Sequence, residues 1–274
     1  MAENLYAALS LQESGERQMS AKIKAVGIVA ALAGSAVLAT FITTTKGAAA
    51  DDKQDATQAI AELQSAVDSL QQRITLLQDT DAIENLISIY GYYLDKQQWD
   101  QFASLFADDA TMEISERGVY VGRSSIRKAL ELFGPQGILD NHLHNHMQFQ
   151  PVIHVAPDGK TAKARSRAFS QLGTYQKNGV WMGGVYENEF VKRDGVWQIS
   201  KDHVFTTYFA DYAKGWSYGA LGTAQPSDKI PPDRPATIDY EAFPGVYIPE
   251  YHYPHPVTGQ PIQFTQPGAS KAAP

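Results

Sequence analysis

The chain has 274 residues, with 23 Lys and Arg against 30 Asp and Glu, a formal net charge of −7. An acidic chain without a basic cluster cannot neutralise phosphates, which argues against nucleic acid and anionic membranes as partners. Cysteine is absent, so disulfides, thiolate metal ligands and a cysteine nucleophile are excluded.

Residues 25–42 form an uncharged apolar run behind Lys22 and Lys24, and Ala48-Ala49-Ala50 precedes Asp51 and Asp52. Basic region, apolar region and A-x-A site in that order predict a secretory signal, with Met19 as an alternative start. The expectation is export to the periplasm with cleavage after Ala50. The alternatives are an uncleaved anchor over 25–42 and a helix that stays in the cytoplasm. Ile60, Leu63, Val67, Leu70, Ile74 and Leu77 then alternate spacings of three and four over residues 53–78. β-Branched residues at a and Leu at d favour a parallel coiled coil, a dimer more than a trimer. A lone amphipathic helix lying on its own domain is the competing reading. The heptad fails at Asp81, where the pattern predicts that a new helix begins.

Ile83, Leu86, Ile87, Tyr90 and Leu94 lie on one helical stripe, and Asp95 sits at its end. A carboxylate at the inner end of a buried helix is costly unless it is solvated, paired or used. Asp100 reads as the cap of a second helix carrying Phe102, Leu105 and Phe106. Short strands are expected over 110–115 and 118–121, and a third helix over 123–133, stopped by Gly134-Pro135. From 142 the pattern is a β-meander, with strands over 142–156, 161–176, 180–193 and 196–209. The turns between them are Pro157-Asp158-Gly159-Lys160, Lys177-Asn178-Gly179 and Asp194-Gly195. Gly183-Gly184 reads as a bulge. Three helices followed by an antiparallel sheet make an α+β fold. Residues 211–274 are rich in Pro and Tyr. They are expected to form an ordered irregular arm over the domain or a neighbouring subunit, fraying after about Phe264.

The motifs LDKQQWDQFASLFADDATMEI, HNHMQFQPVIHV and YENEFVKRDGVWQI resemble the nuclear-transport-factor-2-like superfamily, specifically its SnoaL-like branch, over about residues 80–210. The resemblance implies a cone: a curved, mostly antiparallel sheet wrapped around three helices and enclosing one pocket. Within the family the chain is similar to scytalone dehydratase and bile acid 7α-dehydratase. By that likeness Asp95 and His146 form the catalytic pair, and Tyr90 is a hydrogen-bond donor. Helix spacing alone favours Tyr92 as the neighbour of Asp95. A second polar group is expected near 165–169, where Arg167 is the nearest candidate. Tyr186 falls near a substrate-binding position, and a Tyr expected near 112–115 is missing. Arg167, Tyr186, His144 and Trp99 are assigned to substrate binding.

A histidine held by a carboxylate can remove a proton beside an electron-withdrawing group and return it to a leaving hydroxyl, without metal or redox cofactor. Asp95 could instead be a helix-end cap and Tyr90 plain core. His142, His144 and His146 alternate and would share one strand face. This invites a metal reading, but no third ligand converges, so no metal is assigned. The expected function is a cofactor-independent lyase removing water or formaldehyde from a hydroxylated aromatic or polycyclic small molecule. The alternatives are a ketosteroid-isomerase-like proton shift and a non-catalytic binding protein assembled through the 53–78 helix. A homo-oligomer formed through that helix and the cone is expected.

Overall fold

The computed structural model describes residues 48–267. The export segment therefore lies almost wholly outside the described residues, apart from Ala48–Ala50, which open the first helix. The described residues divide into two units, one up to Asp68 and one from Ser69 onward. Helix α1 (Ala48–Asp95) is one unbroken element, so no new helix starts at Asp81. The reason is chemical: the helix holds no proline, and its first glycine is Gly91. The six heptad residues are all exposed, from 48% at Ile74 to 71% at Leu77. Further along, Ile83, Leu86, Ile87, Tyr90 and Leu94 are buried in the core. Among the described residues no helix is long and apolar enough to cross a membrane.

A buried carboxylate pins the middle of α1. Asp79 Oδ1 accepts from the Lys192 ammonium at 2.6 Å and from the Trp197 indole N–H at 2.9 Å. Helix α2 (Trp99–Ser104) follows. Its N-cap is Gln98, with no side-chain cap, and Asp100 lies in the first turn, paired with Arg127 at 2.6 Å. Asp100 is thus not the cap, and Phe106 opens a strand rather than extending the helix. Strands β1 (Phe106–Ile114) and β2 (Val119–Val121) form a short hairpin. Helix α3 (Arg123–Ala129) tightens into a 3₁₀ turn over Leu130–Phe133 and stops at Gly134, whose φ is +125°.

The meander consists of β3 (His142–Val155), β4 (Thr161–Thr174), β5 (Asn178–Arg193) and β6 (Val196–Asp211). Asp194 and Gly195 both take positive φ, as a tight hairpin requires. The β4–β5 turn falls on residues 175–177, so Asn178 and Gly179 already belong to β5. The register shifts between Gly183 and Gly184, where a Cβ on Gly183 would lie 2.3 Å from the Tyr208 ring. The sheet order is β2-β1-β6-β5-β4-β3, curved and unclosed, antiparallel except where β1 runs parallel to β6.

Beyond β6 lie a four-residue helix, α4 (Gly215–Tyr218), and an extended arm packed on the same domain. Backbone and side-chain donors of the arm satisfy two carboxylates on the β1–β2 hairpin. Thr237 gives its N–H and hydroxyl to Glu113, and Tyr240 N–H and the Thr223 hydroxyl go to Glu116. The Tyr240 hydroxyl in turn accepts from Thr206 N–H at 2.7 Å. The arm therefore buries the outer face of β6, and His203 lies there, stacked on Phe205, rather than in the cone interior.

Candidate active site

The concave side of the sheet, helices α1 and α2 and the 3₁₀ turn enclose a mostly apolar cavity of about 330 Å³. A wider open groove of about 1020 Å³ lies at the β4–β5 tips, beside Tyr175, Trp181 and Tyr212. The titratable groups gather in the smaller cavity. Tyr90 from α1, His144 and His146 from β3, Ser170 from β4 and Tyr186 from β5 all line it. Alternation along the strands puts them there: His146 and Ser170 are Cα partners, as are Ser166 and Tyr186.

These side chains form one buried chain of hydrogen bonds. Ser170 Oγ lies 2.6 Å from His146 Nδ1, and the Tyr186 hydroxyl lies 3.0 Å from His146 Nε2. Tyr186 and Tyr90 hydroxyls are 3.3 Å apart, and Tyr90 donates to Asp202 Oδ2 at 3.1 Å. One proton arrangement satisfies every link. Ser170 donates to Nδ1, Nε2–H donates to Tyr186, Tyr186 donates to Tyr90, and Tyr90 donates to Asp202. Asp202 sits behind the tyrosines, fully buried, and its Oδ1 has no hydrogen-bond partner.

Burial sets the charge states. It lowers His146 to about 3, with the nearby His144 adding to the effect, and lowers His144 to about 4. Both rings are neutral at physiological pH. Burial raises Asp202 to about 7, with Tyr90 and Asn188 pulling the other way. It also holds the Tyr90 and Tyr186 hydroxyls well above the usual phenol range. An ionised carboxylate in a dry core is costly, and protonation near neutrality relieves that cost.

Asp95 meets His146 differently from the expected pairing. Its Oδ1 accepts the backbone N–H of His146 at 2.5 Å, while Ser170 and Tyr186 hold the ring. Asp95 terminates α1 at the level of the β3 backbone, so its short side chain reaches the main chain. Gly91, one turn earlier, allows that approach, because a Cβ there would lie 2.9 Å from the His146 carbonyl oxygen. Desolvation raises the Asp95 pKa, against the stabilising bond from His146.

Among the other predicted residues, Tyr186 and His144 line the cavity. Trp99 is fully buried behind it, its indole N–H donating to Gly134 O and its ring packed edge-on to His144. Arg167 is exposed on the outer face of β4, because Ser166, Ala168 and Ser170 take the inner positions. His142 is exposed at the start of β3. Tyr92 is 73% exposed and turned away from the core. Among the described residues no three His, Asp or Glu side chains group as metal ligands. Sequence reasoning missed Ser170, Asp202 and Arg117. The parity of the inward positions on β4 marks Ser170; no local signal marks the other two.

Residues 75–203 match the family model of the SnoaL-like domain, which falls in the nuclear-transport-factor-2-like superfamily. Gamma-hexachlorocyclohexane dehydrochlorinase of Sphingobium indicum is 28% identical over 143 residues, which cover 48% of this chain and 83% of the relative. A solved structure from Novosphingobium aromaticivorans, provisionally named a scytalone dehydratase, is 25% identical, covering 57% of this chain and 97% of its own, with a TM-score of 0.46. The type-3 hexachlorocyclohexane dehydrochlorinase of Novosphingobium barchaimii is 22% identical, with coverages of 52% and 94% and a TM-score of 0.45.

Proposed function

We propose that this protein is a lyase that removes HX, either water or a hydrogen halide, from a small ring compound held in the cone cavity, with no cofactor. The observation that carries the reading is the buried chain from Ser170 through His146, Tyr186 and Tyr90 to Asp202 beside an apolar cavity. The dehydrochlorinase relative supports the reaction class, since its name describes loss of HCl.

In this mechanism neutral His146 takes the proton from carbon at Nδ1, where Ser170 sits in the free protein. The C–H electron pair becomes the new double bond, and X leaves the neighbouring carbon with its own pair. An imidazolium is poorly tolerated in this dry site, in keeping with the low His146 value. The chain removes it. The Nε2 proton passes to Tyr186, the Tyr186 proton to Tyr90, and the Tyr90 proton to Asp202. Proton affinity is higher at the far end of that path, about 7 at Asp202 against about 3 at His146. Loss of water needs the proton returned to the leaving hydroxyl, whereas a halide leaves as the anion. Asp95 positions the His146 backbone.

The exposed heptad residues of α1 support pairing with a second copy, and the segment before Ala48 supports export; both belong to this proposal. The test incubates the full chain with chlorinated cyclohexanes, hydroxylated aromatic dimers and sterols. Mass spectrometry and halide chromatography then follow loss of HCl, water or formaldehyde. Turnover by wild type that disappears in His146→Ala is expected. Saturable binding without turnover, equal in wild type and His146→Ala, refutes the lyase and leaves a binding protein.

A further inference from the structure

The cavity carries one permanent charge, and among the described residues no carboxylate answers it. Arg117 lines the wall beside Ser115, with its guanidinium 5.1 Å from the centre of the Phe133 ring. Its Nε is buried and has no hydrogen-bond partner, and no carboxylate lies within ion-pair distance among the described residues. The neighbouring carboxylate, Glu116, is turned away and occupied by Thr223, Gln225 and the Tyr240 N–H.

Arg117 is also held in place from both sides. Its N–H donates to Ile114 O at 3.1 Å, closing the corner between β1 and β2. Gly118 follows at φ +99°, where a Cβ would lie 2.5 Å from the Pro232 ring of the arm. The corner is thus clamped between sheet and arm. A guanidinium keeps its proton in proteins, and a half-buried one without a counter-ion, as Arg117 is, still carries a desolvation cost. Its planar fork matches a carboxylate.

We propose that Arg117 binds a carboxylate carried by the substrate, so that the compound processed is a ring acid and not a neutral ring. This rests on the cavity being the substrate site. The acid group would sit at the Arg117 end and the reacting carbons at the His146 end. The dehydrochlorinase relative is named for a neutral chlorinated ring, so the two proteins would differ in the charge of their substrates.

The test is calorimetric binding of 2-naphthoate and 2-naphthamide to the full chain, in wild type, Arg117→Gln and Arg117→Lys. Wild type is expected to bind the acid roughly tenfold or more tightly than the amide, as a charge-assisted pair provides. In Arg117→Gln that preference should vanish while amide affinity holds, and Arg117→Lys should keep part of it. Equal affinity of acid and amide in wild type overturns the proposal without requiring any variant to fold. A preference that persists in Arg117→Gln overturns it as well. Chloride titrated against gluconate at constant ionic strength separates the other source of an anion. Saturable chloride binding lost in Arg117→Gln, with no preference for naphthoate, assigns the site to a released halide and overturns the carboxylate. Amide binding without acid preference sinks this inference alone, whereas binding of neither probe sinks the cavity reading with it.

Discussion

Replacing Asp202 with asparagine tests the electrostatics of the buried chain directly. Asp202 ordinarily titrates near 3.8, and burial lifts it to about 7 in the folded protein. Between those values the folded state holds a proton that the unfolded state has released, so stability falls as pH rises, at about 1.4 kcal/mol per pH unit. Across the whole window the loss is about 4 kcal/mol, complete once pH exceeds the folded value. The asparagine of Asp202→Asn would keep an oxygen to accept from Tyr90 and has no proton to lose. The difference in unfolding free energy, Asp202→Asn minus wild type, should therefore be small near pH 4.5. It should then climb by several kcal/mol toward pH 8 and stay level above it. Urea unfolding of both proteins at half-unit pH steps measures it, and slopes common to other groups cancel in the difference. Parallel pH profiles for the two proteins would refute the assignment of a carboxyl that titrates near neutrality at this position.

The Asp95→Asn protein keeps an oxygen for the His146 N–H, so kcat/KM should drop less than about tenfold, against the 10²-fold or more expected of His146→Ala; a drop as deep as that of His146→Ala would restore Asp95 to the ring. Gly91→Ala places a methyl 2.9 Å from the His146 carbonyl oxygen. It should cost about 1–3 kcal/mol in urea unfolding through overpacking, and unchanged stability would mean that α1 and β3 are less closely set. Asp79→Ala strands the Lys192 ammonium and the Trp197 indole N–H. The expected loss is about 1–3 kcal/mol, read as a lower urea midpoint; an unmoved midpoint would show that water serves those donors equally well.

The meander was legible because its information is local. Asp194-Gly195 and the Gly183-Gly184 pair act within a few residues, and the strand ends fall within two residues of their expected places. Tyr90, His146 and Tyr186 were chosen through likeness to a family and His144 through strand alternation, and the structure brings all four side chains to the cavity. Arg167 failed on parity: one residue along a strand exchanges inside for outside, and Ser170, three positions on, faces the cavity instead. Asp202 was hidden for a different reason. The arm covers the outer face of β6, so residues 202–206 are buried on both faces and the alternation that would flag an inward carboxylate is erased. The Asp95 pairing failed at the level of atoms, since a sequence gives the position of a carboxylate and not whether it meets a ring or a main chain. Arg117, in a tight corner between two short strands, has the sequence signature of an ordinary solvated turn.

The arm's stapling of Glu113 to Thr237 and of Glu116 to Tyr240 has a consequence in time. Each of these bonds joins positions 124 residues apart, and Leu221, Thr223 and Ala224 of the arm supply part of the cavity wall. Contacts of such sequence separation form late, because loop closure must come first. On a ribosome the helices and meander can pair while the wall is still unsynthesised, leaving the Arg117 corner and the apolar interior open to water. Ligand binding should thus appear only after the last strand-like stretch of the arm has docked, trailing the burial of Trp197 in a refolding reaction.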